Sequence, residues 1–128
     1  VSQMPSHSYG YYIEALARFA LGEADMAVAA LERSQAVGPN EQWLAERRVG
    51  VAETHYAALE AYAGTGHLAD LALLAQSRRG IRSIAARYVA NPDFRERVTA
   101  VVETLPDEIQ QRFVAVVRAE ARTMGAGA

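Results

Sequence analysis

The chain has no cysteine, which rules out disulfides and thiolate metal sites. It has no lysine either; all thirteen basic residues are arginine. No apolar run approaches the roughly 20 residues that span a bilayer, and no signal-peptide pattern opens the chain. Alternating runs of Val, Ile, Thr and aromatics between turn residues are missing, so strands are not expected. A Gly-rich phosphate loop and a nucleophile motif are missing too, which argues against an enzyme and against a cofactor. Net charge is only −2, so no global pull toward nucleic acid or membrane exists.

What the chain has is alanine, 26 of its 128 residues, the best helix former and a small contributor to burial. Alanine excess with arginine in place of lysine points to a GC-rich coding genome. The length suits one all-α domain with a real core. Starting at Val1 in mid-texture, the chain reads as a piece of a longer, cytoplasmic protein.

Six helices follow from periodicity and punctuation. Ser6 or Ser8 caps the first, whose Tyr9, Tyr12, Ile13, Leu16 and Ala20 share one face. Gly22 ends it, and a second begins near Glu23, with Ala24, Ala27, Val28 and Leu31 as its stripe and Gly38-Pro39 as its stop, Gly38 in the left-handed conformation. Asn40 caps a third helix expected to reach Ala63. Leu44, Val51, His55, Ala58, Leu59 and Tyr62 lie on one face, and Val49, Ala52, Tyr56 and Ala63 on another. After Gly64-Thr65-Gly66, a fourth helix carries Leu68, Leu71, Leu74, Ala75, Ile81, Ile84, Ala85 and Tyr88, with Gly80 as a place to kink or break. Asn91-Pro92 starts a fifth and Leu105-Pro106 separates it from a sixth. Phe94, Val98, Val101 and Val102 repeat in spacing as Ile109, Phe113, Val116 and Val117, preceded by Arg97 and Arg112, which suggests an αα-hairpin.

Residues 8–40 resemble one tetratricopeptide repeat. Tyr11 stands at the large aromatic of its first helix, Ala15 and Ala27 at the small residues where two helices touch, Gly22 at the turn, Ser34 at the next small position and Pro39-Asn40 at the close. Residues 41–90 match more loosely, through Leu59, Tyr62, Gly66 and Leu71, with Arg78 at a position normally small. Residues 91–124 match as a third hairpin in shape, and 125–128 form a frayed tail. The resemblance implies antiparallel hairpins stacked as a short right-handed superhelix in a single domain. It also implies a protein-interaction role, with Tyr9, Tyr12, Leu16 and Phe19 on the inner surface of the first helix. Asn91-Pro92-Asp93-Phe94-Arg95 through Leu105-Pro106-Asp107 is similar to the end of the helical-repeat region in some bacterial signalling ATPases and transcription regulators, which implies a multidomain regulator.

Few residues invite chemistry. His55 has Leu at position 59, so no HxxxH pair exists, and a buried structural histidine is the expectation. His67 reads as a helix-start residue, and the pairs Glu41 with Glu46 and Glu103 with Asp107 and Glu108 as solvated surface. From Leu71 to Pro92 stand Arg78, Arg79, Arg82 and Arg87 with no acid. Arg78 and Arg82, one turn apart, can grip an acidic peptide, phosphate or carboxylate, or else pair with acids on neighbouring helices, such as Glu60 or Glu96. A helix-turn-helix is hinted at by Ala72, Ile81 and Ile84, but the turn near Gln76 lacks glycine and the chain is net negative, which argues against nucleic acid. The expected partner is therefore another protein or an acidic peptide, with a homodimer through the apolar first helix as a further option. A structural or oligomerising segment is the alternative.

Overall fold

A computed structural model describes residues 7–126, and among them every regular element is helical. The α-helices are α1 (His7–Ala20), α2 (Ala24–Val37), α3 (Gln42–Thr54), α4 (Gly66–Leu74), α5 (Arg78–Ala90), α6 (Pro92–Val102) and α7 (Asp107–Ala126). The all-α class is as expected, with seven helices in place of about six. No helix of the described residues is long and apolar enough to cross a membrane. The chain divides into two compact units, residues 1–70 and 71–128, so the expected second hairpin straddles the division.

In the first unit, α1 and α2 form an antiparallel hairpin. Gly22 turns the chain at φ +76°, a conformation that costs any residue with a Cβ. Ala15 and Ala27 are both fully buried, and Ser8 at the start of α1 meets Ser34 near the end of α2. Small residues let the two backbones approach. Ser8 is not a cap but an internal residue of α1, and Ser6 lies outside the described residues. Gly38 is not left-handed: its φ is −130°, and a Cβ there would crowd Ser8 and Glu41.

The third helix stops at Thr54, nine residues short of Ala63, and Glu41 rather than Asn40 is its N-cap. Two 3₁₀ turns follow, Tyr56–Ala58 and Glu60–Gly64, with Glu60 at φ +51° between the flanking segments. The apolar residues explain the winding. Tyr56, Leu59 and Tyr62 are spaced by three, which a 3₁₀ helix places on one side. Leu59 and Tyr62 are buried in the cluster formed with Ala15, Ala30, Leu31 and Ala52, and Tyr56 packs against it.

At the heart of this unit lies a fully buried arginine. Arg48 donates through Nε and one Nη to both carboxylate oxygens of Asp70, at 2.8 and 2.9 Å, and from that Nη to the Gly38 carbonyl at 3.0 Å. Its other Nη donates to Ser8 and Ser34 at 3.1 to 3.2 Å. Guanidinium has five N–H donors, and this set of acceptors can engage all of them. One side chain thus ties together α1, α2, α3 and the start of α4. Burial holds the Asp70 carboxyl above the usual carboxylate range, against the downward pull of Arg48.

In the second unit, α5 buries Gly80, Ile81, Ile84 and Ala85, while α6 buries Phe94, Val98, Val101 and Val102. Phe113 and Val116 of α7 complete the core, and α7 packs chiefly on α5. The expected fourth helix breaks before Gly80, at residues 75–77, with Ser77 capping α5 by accepting the Gly80 N–H at 3.0 Å. Asn91 caps α6 in the same way through Phe94, with Pro92 in its first turn, as expected. Gly125 lies within α7 rather than in a frayed tail, and residues 127–128 fall outside the described residues.

Candidate functional site

Between α1 and α3 of the first unit runs an open groove of about 430 Å³. From α1 it takes Tyr12, Leu16, Phe19 and Ala20, and from α3 it takes Arg47, Gly50, Val51, Thr54 and His55. The helical period explains the two rows. Residues 12, 16, 19 and 20 lie on one α1 face, while 47, 50, 51, 54 and 55 lie on one α3 face. Its neighbours Leu44, Ala45, Arg48, Val49 and Ala52 form the buried face of the same helix, so Arg48 points inward and Arg47 outward.

Aromatic rings border the groove. Tyr9 stands 6.1 Å from Tyr12 and 5.6 Å from Trp43, ring centre to ring centre, and the Arg47 guanidinium lies 5.7 Å over the Trp43 ring. Ile13, Leu16 and Trp43 remain exposed at 43%, 39% and 41%. His55 is neither buried nor a ligand in a cluster. It caps the end of α3, is half-buried, and stacks on Phe19 at 3.9 Å, 5° from parallel. No carboxylate lines this groove, although residues 1–70 carry nine acids against four arginines.

Of the sequence candidates, Tyr12, Leu16 and Phe19 therefore line one groove and Tyr9 borders it through Tyr12 and Trp43. Tyr11 faces α2, where Arg33 lies 6.0 Å over its ring. Arg78 and Arg82 belong to the second unit, where both are exposed. Arg82 does face an acid of a neighbouring helix, Glu120 of α7 at 3.9 Å, which is neither Glu60 nor Glu96.

Sequence reasoning missed a second buried pair. His67, fully buried in the first turn of α4, meets Glu53 of α3 through Nε2 at 2.7 Å. Its Nδ1 and the Tyr62 hydroxyl are both buried without a hydrogen-bond partner among the described residues, and burial drives the Tyr62 phenol well above its ordinary range. Glu41 and Glu46 are half-buried rather than solvated, whereas Glu103, Asp107 and Glu108 are exposed. No group of three or more His, Asp or Glu among the described residues could hold a metal ion. Comparison with known protein families, with curated proteins and with solved structures finds no match for this chain.

Proposed function

We propose that the chain is a non-catalytic protein-interaction module that takes an apolar segment of a partner protein into the α1–α3 groove. The observation that carries this reading is the groove itself: Tyr12, Leu16, Phe19 and Val51 form an open apolar floor, flanked by exposed Ile13 and Trp43. Exposed aromatic and aliphatic residues beside a concave surface are the usual anchors of protein recognition. Arg47 and His55 add the polar contacts that set orientation, and the absence of a carboxylate favours a partner segment bearing an acid.

A tetratricopeptide-like role within a larger regulator is consistent with this. It is supported by the α1–α2 hairpin with Ala15 and Ala27 at its contact. Trp43, the single tryptophan, is a built-in reporter. Selection of a displayed random peptide library on the folded chain should yield apolar peptides carrying an acid, and these should change Trp43 emission. Leu16→Glu should abolish binding and Arg47→Gln weaken it. If no peptide is selected, or if selected peptides bind Leu16→Glu as well as wild type, the groove is not the binding surface.

A further inference from the structure

The two units differ in charge. Residues 1–70 hold four arginines and nine acids, while residues 71–128 hold nine arginines and six acids. The net negative charge of the whole chain therefore hides a positive second unit. Within that unit the basic residues concentrate on one helix. The buried side of α5 is Gly80, Ile81, Ile84 and Ala85. Its exposed side presents Arg78, Arg79, Arg82, Ser83 and Ala86 and ends on Val89 and Ala90, with no acid.

The face is also rigidly mounted. A Cβ at Gly80 would lie 2.1 Å from the Leu74 carbonyl oxygen, so the first turn of α5 is packed directly against the end of α4 across a three-residue turn. Ser77 caps that turn, and Arg112 of α7 donates to the Gln76 carbonyl at 3.0 Å, bringing another guanidinium to the same end. The close approach that a turn glycine would provide near position 76 is supplied by Gly80. Both grounds on which the sequence argued against DNA thus lose their force: the missing glycine and the negative net charge.

What kind of partner fits this face follows from what it lacks. The exposed side of α5 carries no aromatic residue, and its one large aliphatic, Val89, stands at the far end, so the arginine-bearing part lacks the anchors a protein interface needs at its centre. It offers guanidinium groups and small side chains on a narrow helix, which suits the polar, positively charged interfaces made with nucleic acid and the width of a major groove. Arg82 is exposed and its pairing with half-buried Glu120 is long, 3.9 Å, so a phosphate can displace it.

We propose that α5 lays this arginine face along the major groove of duplex DNA, with Arg78, Arg79 and Arg82 on the phosphates. The test is fluorescence anisotropy of the full chain with a labelled mixed-sequence duplex of about 20–25 base pairs, titrated at several salt concentrations. Three phosphate contacts predict a log–log salt slope of roughly −2.7, a loss of about 40-fold between about 50 and 200 mM salt. Arg78→Gln or Arg82→Gln should each reduce that slope by about 1, whereas Arg→Lys at either position retains it. Arg33→Gln, which removes an exposed charge from the first unit, should leave binding unchanged. These exposed substitutions leave helical content intact, which circular dichroism verifies.

Three results overturn the proposal. One is no binding at about 100 µM protein in low salt, the weak limit of non-specific association. Another is a folded Arg78→Gln, Arg82→Gln double variant that binds like wild type. The third is binding of polyglutamate or single-stranded DNA as tight as that of the duplex, which would mark an acidic-protein or general polyanion surface.

Discussion

Asp70→Asn removes the carboxylate from Arg48 while keeping its shape. The guanidinium remains fully buried and loses the charge assistance of both bonds at 2.8 and 2.9 Å: the asparagine oxygen still accepts one, its NH2 faces the other donor, and the acceptors on Ser8, Ser34 and Gly38 are neutral. Breaking a buried pair on one side costs about 3–5 kcal/mol, because the surviving charge is uncompensated. Total stabilities are about 5–15 kcal/mol, so this single change should remove a large share of what holds the unit folded. Arg48→Met strands the carboxylate instead, but a carboxyl has an escape that a guanidinium lacks: it can take up a proton.

Burial already raises the Asp70 carboxyl above its ordinary range with Arg48 present, and loss of Arg48 raises it further. A raised folded-state value means that the contribution of this group is complete below the ordinary carboxylate range and fades as pH rises through the folded-state value. Arg48→Met should therefore be closer to wild type at about pH 5 than at pH 7.5, whereas Asp70→Asn shows no such recovery. Arg48→Met with Asp70→Leu should recover much of the loss, leaving chiefly the Gly38 carbonyl unpaired. Urea unfolding followed by Trp43 fluorescence reads the first unit, where the only tryptophan lies. An Asp70→Asn cost below about 1 kcal/mol, or a coupling energy below about 0.5 kcal/mol, would refute the reasoning.

Tyr62→Phe deletes a buried hydroxyl that has no partner, and should stabilise by about 1 kcal/mol in urea unfolding. Because burial raises the Tyr62 phenol, its contribution is complete below the ordinary phenol range and lost at higher pH. The phenylalanine variant should therefore lose less stability than wild type above about pH 10. Gly80→Ala places a Cβ against the Leu74 backbone, and should cost about 1–3 kcal/mol in a melt followed by circular dichroism. Ala27→Leu overpacks the α1–α2 contact by a similar amount, about 1–3 kcal/mol; an unchanged melting temperature would mean the hairpin register is wrong. With Ile13, Leu16 and Trp43 exposed, wild type should self-associate in sedimentation at high micromolar concentration and a Tyr12→Glu, Leu16→Glu variant should not; a monomeric wild type refutes pairing through α1.

Helices whose ends carry their own chemistry were legible in the sequence. Asn91-Pro92 starts α6, Gly22 closes α1, and Ala15 and Ala27 are buried on the two helices of the hairpin, as the repeat resemblance implies. The 3.6-residue period misread residues 55–64, because Tyr56, Leu59 and Tyr62 fit an α-helix and a 3₁₀ turn alike over so short a span. No breaker stands between Thr54 and Gly64, and Glu60, a good helix former, takes a left-handed conformation between buried Leu59 and Tyr62. The α4–α5 break was legible but misplaced. Gly80 marked a kink or break, but its role is close approach, and the chain turns ahead of it at residues 75–77.

Arg48 left one trace: an arginine on the same stripe as Leu44, Ala45, Val49 and Ala52, where a solvated side chain has no place. A charge at such a position implies a buried acid elsewhere, though nothing local says that it is Asp70, 22 residues on. The consequence reaches the groove. Arg47 and Arg48 are adjacent on α3, one over Trp43 at the groove and the other in the core. Ser8 is bound to Arg48 and lies on the same helix as Tyr12 and Leu16. The two walls of the groove are therefore tied to one guanidinium, and loss of Asp70 should loosen both. If the groove binds peptide as proposed, Asp70→Asn should weaken that binding under conditions where the variant is still folded, although Asp70 does not line it. Undiminished affinity in a folded Asp70→Asn chain would show that the walls hold their spacing without the clasp.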